Sequence, residues 1–304
     1  MPGASVIVPA YNEEQNIGSL LRRVAAESAA GWTLDDVIVI ASGCTDGTVV
    51  QARAVAEGGT TVRVIEQERR EGKASAINVG LAAARHEVVV LISGDVMPAP
   101  GAIGALLLAL EDQSVGVAGG RPVPMNDEAT FTGFATHLMW RLHHEVSLSA
   151  PENPKCGEMI AFRKRLDGRA VVSGIPADSA VDEVSVQAMV REAGLGARYV
   201  PDAVVRNWGP ATVTDWLKQR RRIAAGHILA VREGYRPSTM STRVVLTALA
   251  RDPMARRRPH RAAAVVAMEA AGRLLGRLDV ARGRSHTVWK TAETTKRAIE
   301  GEAG

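Results

Sequence analysis

Cysteine is scarce in this chain of 304 residues, with only Cys44 and Cys156 present, in unrelated contexts. Neither belongs to a paired metal-ligand spacing, which argues against structural zinc and makes a reducing cytoplasm the expected compartment. The two thiols read as small packing residues. Aromatic residues make up only 4%, leaving little surface on which bases could stack. With a net charge of +4 and a pI near 9.3, no nucleic-acid partner is expected. The same mild basicity suits a phosphate-rich ligand or an anionic membrane surface. No apolar run approaches the roughly 18–20 residues that span a bilayer. The N-terminus runs straight into Ser5-Val6-Ile7-Val8-Pro9, so no secretory signal is expected.

What is present is a composition of 46% hydrophobic and 23% charged residues, ordinary for a globular protein with a deep core. Short β-branched runs at 5–8, 37–40, 62–65 and 88–92 alternate with helical stretches at 13–28, 48–57 and 74–84. That βαβα order predicts a doubly wound sheet with its ligand crevice at the carboxyl ends of the strands. Further on, the pattern predicts a helix carrying His137, Trp140, His143 and His144, a strand at 159–162 and a helix at 181–193. A strand at 198–205 and a basic helix at 212–230 follow, and Pro253 and Pro259 mark a boundary in an Arg- and Ala-rich tail.

Chemistry-bearing residues cluster just after the strands. Pro9-Ala10-Tyr11-Asn12-Glu13-Glu14 leads from a strand into a helix, a place where free N–H groups favour an anion; the plain alternative is a turn with Asn12 capping the helix. Ser42-Gly43-Cys44-Thr45-Asp46 is small and hydroxyl-rich, suited either to a nucleotide or to helix capping. Lys73, after Gly72, could reach a diphosphate or stay solvated. Ile92-Ser93-Gly94-Asp95 ends an apolar strand on a carboxylate, costly there unless it is hydrogen-bonded or meets a cation. Mg²⁺ or Mn²⁺ accepts one or two carboxylates plus phosphate oxygens, so a single Asp is sufficient.

Asp182-Glu183 opens a helix; the helix dipole explains acids there, and a general base is the functional alternative. In Gln219-Arg220-Arg221-Arg222, neighbours diverge by roughly 100° around a helix. Only Gln219 and Arg222 can act together on a pyrophosphate, with bidentate guanidinium contacts; a solvated basic face is the alternative. His227 could touch the same diphosphate or lie on the surface. For the histidines around Trp140, an aromatic face packed inward is favoured over a metal or sugar site.

Taken together and in this order, these segments resemble the family 2 glycosyltransferases with a GT-A fold over residues 4–228. Gly72-Lys73 with Ala76, Asn78 and Gly80 looks like that family's Gly-Lys…Ala-x-Asn-x-Gly segment, and 157–163 resembles its acceptor-side strand. Glu183 matches the catalytic acid by its distance from Gly194 and from Val200-Pro201-Asp202-Ala203, and residues 219–222 resemble Gln-x-x-Arg-Trp. Four positions depart from the pattern: Ser42 replaces the base-binding Asp, and Ser93 the first acid of Asp-x-Asp. Ile223 stands in place of Trp, and the acid pair reads Asp-Glu in place of Glu-Asp.

The resemblance implies an α/β GT-A fold, a mostly parallel sheet flanked by helices, with a C-terminal helical extension. Residues 1–230 would form the transferase domain, divided into a nucleotide-sugar half (1–120) and an acceptor and catalytic half (121–230), with 231–304 as the extension. It implies a donor site of Pro9, Tyr11, Asn12, Glu13, Ser42, Lys73, Gly94, Gln219 and Arg222. A divalent Mn²⁺ or Mg²⁺ would sit on Asp95, and Glu183 or Asp182 would be the base. The implied reaction is metal-dependent, inverting hexosyl transfer from a nucleotide-diphosphate sugar to a hydroxyl of a glycan or lipid-linked glycan. A UDP-sugar is slightly favoured over a GDP-sugar. The alternatives are an inactive nucleotide-sugar-binding protein and a sugar-1-phosphate nucleotidyltransferase. The nucleotidyltransferase would need an arginine-containing glycine-rich loop where Ala10-Tyr11-Asn12 stands. In the tail, Val265, Met268, Leu274, Leu275 and Leu278 are expected on one face of a helix, with Glu269, Arg273 and Arg277 on the other. Such a helix either lies on the inner face of a membrane or closes over the domain.

Overall fold

The computed structural model describes all residues except 28, 30, 59–60, 152–153, 155, 178, 180, 233–240, 285–292 and 300–304. Parts of the expected C-terminal extension therefore lie outside the described residues.

The apolar runs of the first half become β1 (Gly3–Ala10), β2 (Thr33–Ser42), β3 (Val62–Gln67) and β4 (Val88–Ile92). They pair in parallel, β1 against β2 and β4, and β2 against β3. Between them lie α1 (Ile17–Ala25), α2 (Thr48–Glu57) and α3 (Lys73–Ala83). The inner strands β1 and β4 are mostly apolar on both faces because both are covered, while β3 stands at the sheet edge. Ala4, Val6 and Val8 of β1 join one buried cluster with α1, while Ile7 joins another with α3. Alternation of successive side chains across the strand produces that division. Gly80 of α3 lets the helix settle on the sheet, since a Cβ there would lie 2.5 Å from Ile7 Cγ2.

The second half adds β5 (Val96–Pro98), α4 (Ala102–Ala109), β6 (Val115–Pro124), α5 (Phe131–Ser149), β7 (Met159–Arg163), the small hairpin of β8 (Arg165–Leu166) and β9 (Arg169–Ala170), α6 (Asp182–Glu192) and β10 (Gly196–Asn207). The eight-stranded sheet has the order β3-β2-β1-β4-β7-β6-β10-β5. β7 enters antiparallel to both β4 and β6, so the sheet is parallel in its first half and mixed beyond.

Four helices follow: α7 (Val213–Arg232), α8 (Thr242–Arg251), α9 (Pro253–Arg257) and α10 (Pro259–Ala281). Residue 230, where the domain was expected to give way to the extension, lies within α7. A third cluster around Phe134, Leu138, Leu142, Trp216 and Val265 ties α5, α7, α9 and α10 together. α10 turns a stripe of Ala262, Val265, Gly272, Gly276 and Asp279 inward. A Cβ on Gly276 would lie 2.7 Å from Ala224 Cβ of α7. This differs from the expected helix face. Val265 is buried as expected, but Leu274 and Leu278 are 57% and 39% exposed, and Glu269 faces α7. The reason is that α7 presents arginines, which draw the acids of α10 inward, and small residues allow the close approach.

Candidate active site

Three parallel strands end side by side, and their ends shape the site. The β4 end is tied to the β1 end by Gly94 N–H donating to the Pro9 carbonyl at 3.2 Å. A side chain at Gly94 would come within 3.1 Å of Glu13 Cγ and 3.3 Å of Ala10 Cβ, so glycine keeps this approach open. The loop after β1 bends at Asn12, which adopts a left-handed φ of 53°. Asn12 does not cap α1, whose N-cap is Asn16. Its Oδ1 instead accepts from Thr45 N–H at 2.8 Å, and Glu13 N–H donates to Thr48 Oγ1 at 2.7 Å. The loops after β1 and β2 thus brace one another. Asp46 Oδ1 accepts from Thr48 N–H, the first amide of α2, at 3.0 Å, although the N-cap position itself is Gly47. Ser42, buried at the end of β2, accepts from Glu71 N–H at 3.3 Å. Cys44 lies against this bend, where burial pushes its thiol up.

A single cavity of about 820 Å³ opens along these strand ends, within the usual size of a ligand pocket. Pro9, Tyr11, Glu13, Ser42, Lys73, Gly94, Asp95, Asp182, Glu183, Gln219 and Arg222 all line it. Asn12 stands behind the wall, holding its shape. Residues from six separate segments of the sequence therefore share one space.

The electrostatics sort the acids into different roles. Asp182 pairs with Lys73 Nζ at 3.0 Å. Burial disfavours the charged Lys73, but Asp182, Glu183 and Glu158 outweigh it and raise its pKa. Glu183 is half-buried, begins the same helix and faces the cavity. Burial lowers the Arg222 pKa, and the carboxylates of Glu183, Asp182, Glu158 and Asp95 oppose that shift, so its guanidinium stands among all four acids. The other two arginines of the run also border the cavity but are engaged by acids of α10. Arg220 grips Glu269 of α10 through bonds of 2.6 and 2.9 Å, and Arg221 holds Asp279. Divergence of neighbours around the helix sets Arg222 toward the acids of the cavity while Arg220 and Arg221 reach α10.

Beside Asp95 lies Glu13, pushed up to about 7 by burial first and by the Asp95 charge second. Its Oε2 is buried with no hydrogen-bond partner. A carboxylate oxygen of this kind next to a second acid is incompletely satisfied, and the pair fits a divalent cation. Among the described residues no group of three or more His, Cys, Asp or Glu gathers as a metal site. The donor set is thus two carboxylates, the number that Mg²⁺ accepts when phosphate and water supply the rest.

Of the aromatic helix, His143 is buried, with its ring 5.1 Å from Trp140 and 6.0 Å from Tyr199. His144 shares a 2.9 Å hydrogen bond with Tyr199, and His137 one of 2.7 Å with the Asn126 carbonyl. These histidines do not converge. Toward this end the cavity becomes apolar, walled by Leu138, Met139, Leu142 and Val146 of α5 with Val245, Leu246 and Leu249 of α8. Thr295 lines the cavity from outside every motif singled out in the sequence, while Glu158, inside the 157–163 segment, was not named there as a site residue. Glu158 has a left-handed φ of 60°, and its only signal is an acid following Gly157 just before a strand.

Comparison with known proteins bears on the family and the fold. The model of the family "Glycosyl transferase family 2" matches residues 5–169, more than half of the chain. A dolichol-phosphate mannosyltransferase from Mycosarcoma maydis is 32% identical over 149 residues, covering 48% of each protein. A dodecaprenyl-phosphate galacturonate synthase from Rhizobium johnstonii is 34% identical over 108 residues, 35% of this chain and 32% of that protein. The chain thus matches about half or less of the length of these curated relatives. In fold it resembles the mannosyltransferase PcManGT from Pyrobaculum calidifontis, solved in complex with GDP-Man and Mn²⁺. The TM-score is 0.60 at 24% identity, over 91% of this chain and 84% of that one. The chain belongs to glycosyl transferase family 2 and has the GT-A fold.

Proposed function

We propose that this family 2 glycosyltransferase moves a sugar, with inversion, from a nucleotide-diphosphate donor to the hydroxyl of a lipid-linked acceptor. The observation that carries the reading is the shared cavity. Asp95 at a strand end, Glu183 at a helix start and Arg222 in mid-helix face one space of the right size for a nucleotide sugar.

Each residue has a part. The Pro9–Glu13 loop and Ser42 line the nucleotide end; Lys73 and Gln219 border the diphosphate, and Arg222 supplies its guanidinium. Asp95, with Glu13 Oε2 beside it, would hold Mn²⁺ or Mg²⁺, whose charge stabilises the departing diphosphate. Glu183 takes the proton of the acceptor hydroxyl. The acceptor oxygen bonds to the anomeric carbon as the bond to the β-phosphate oxygen breaks, and the nucleoside diphosphate leaves with the electron pair. Attack opposite the leaving group inverts the centre.

Acceptor class follows from the apolar end of the cavity. A free glycan gains little from a furrow of Leu142, Val146, Leu246 and Leu249, whereas a hydrocarbon chain gains roughly 0.8 kcal/mol per buried CH₂. Among the described residues no helix is long and apolar enough to cross a membrane. Exposed Leu246, Val266, Leu274 and Leu278, with Arg256, Arg257 and Arg277 nearby in sequence, would instead rest on an anionic inner membrane face.

Sugar release from UDP- and GDP-sugars with Mn²⁺ tests the metal assignment. Asp95→Ala should abolish metal-dependent turnover, and unchanged activity would remove Asp95 from the metal site.

A further inference from the structure

The C-terminal stretch 293–299 returns across the whole molecule to the donor loop. Its lysine, Lys296, lies 283 residues from Glu13, yet its Nζ donates to Glu13 Oε1 and to the Asn12 carbonyl, both at 2.8 Å, and to the Tyr11 carbonyl. These two carbonyls belong to the bend that the left-handed Asn12 creates. Oxygens in such a bend have no place in a strand or helix ladder, and a partner must come from elsewhere. An ammonium carries three donors, and here all three find an oxygen.

The segment is seated independently of that lysine. Ile299 is 3% exposed within the main core, and its N–H donates to Asn16 Oδ1 at 2.9 Å. Trp208 Nε1 donates to the Ala298 carbonyl at 3.2 Å, and Thr294 Oγ1 to Asp215 at 3.0 Å. Contacts to the start of α1, the region after β10 and the start of α7 thus fix both sides of Lys296. Thr295 forms part of the cavity wall. The Tyr11 ring, in the same loop, has Lys296 Nζ 5.0 Å and the Arg70 guanidinium 4.0 Å from its centroid.

We infer that the segment 293–299 is a built-in wall of the donor site and that Lys296 is a positioning residue, holding the Tyr11–Glu13 loop in its nucleotide-receiving shape. The donor part of this inference rests on the function proposed above; the bracing of the loop does not. A plug that had to leave would direct its ammonium into the cavity. Lys296 spends its donors on the wall loop, and a buried isoleucine anchors the segment behind it.

Full-length Lys296→Met and Lys296→Arg variants test this. Met keeps the bulk and removes the charge, while Ile299 keeps the segment seated. Without ligand, hydrogen exchange of the amides at 11–17 should accelerate at least tenfold in the Met variant while amides of β4 stay unchanged. By calorimetry with Mn²⁺, UDP or GDP should bind at least tenfold more weakly to it, with donor KM raised and kcat within threefold. The Arg variant should recover most of both effects. Unaltered loop exchange in Lys296→Met would overturn the inference, and so would tighter nucleotide binding, the mark of an inhibitory plug. Failure of the wild-type chain to bind any nucleotide would refute the proposed function, with the brace still read from exchange.

Discussion

Asp182 and Glu183 are adjacent in the chain, but the start of α6 gives them different company. Asp182 is held by the Lys73 ammonium at 3.0 Å, and Glu183 faces the cavity near Arg222. Asp182 is already engaged by the lysine, while Glu183 faces the cavity, which favours Glu183 as the base. Glu183→Gln should therefore lower kcat by about 10²–10⁴ with donor KM nearly unchanged. Asp182→Asn should raise donor KM and lower the melting temperature, because it strips Lys73 of its partner, while kcat falls less than about tenfold. Steady-state kinetics on both variants decides the order, and a larger kcat loss in Asp182→Asn would reverse the assignment. The sequence alone left this pair unresolved because the residue that separates them, Lys73, comes from another motif 109 positions away.

Among the elements, the strands and the helices of the first half were legible because their apolar residues report burial directly. The expected 48–57 helix matches α2 (Thr48–Glu57), and the 88–92 strand matches β4. α10 was harder to read, since the later part of its buried stripe is Gly272, Gly276 and Asp279, while Leu274 and Leu278 point outward. In that later part partner chemistry sets the face, and the partner is the arginine run of α7. Gly276→Ala should force α7 and α10 apart and destabilise the protein by about 1–3 kcal/mol in urea unfolding. Glu269 gives a pH test of the same interface. Burial opposes its charge, but Arg220 and Arg273 hold the carboxyl at about 2, below its ordinary 4.5. A depressed acid stabilises the fold above its unfolded pKa and loses that contribution as pH falls toward the folded one. The stability difference between wild type and Glu269→Gln, on the order of 3 kcal/mol near neutrality, should therefore shrink between pH 4.5 and 2.

At the scale of the whole molecule, the cavity assembles what the sequence keeps apart. Asp95, Lys73 and Arg222 were each recognisable from local pattern, and the fold brings them together. Lys296 was not, because it sits in a tail without a motif, and Glu158, although inside the 157–163 segment, was not singled out because its place depends on a backbone bend. The apolar furrow was equally hidden, since its walls come from α5 and α8, roughly a hundred residues apart. Leu246→Glu should raise KM for a polyprenyl-linked acceptor at least tenfold while leaving donor KM unaltered, and an unchanged acceptor KM would count against the furrow. The most direct test of the account is release of nucleoside diphosphate from a panel of UDP-, GDP- and dTDP-sugars, with a lipid-linked acceptor, in Mn²⁺ and in chelator. The account predicts metal-dependent release from one donor, lost in Glu183→Gln; tight donor binding with no turnover on any acceptor would contradict it.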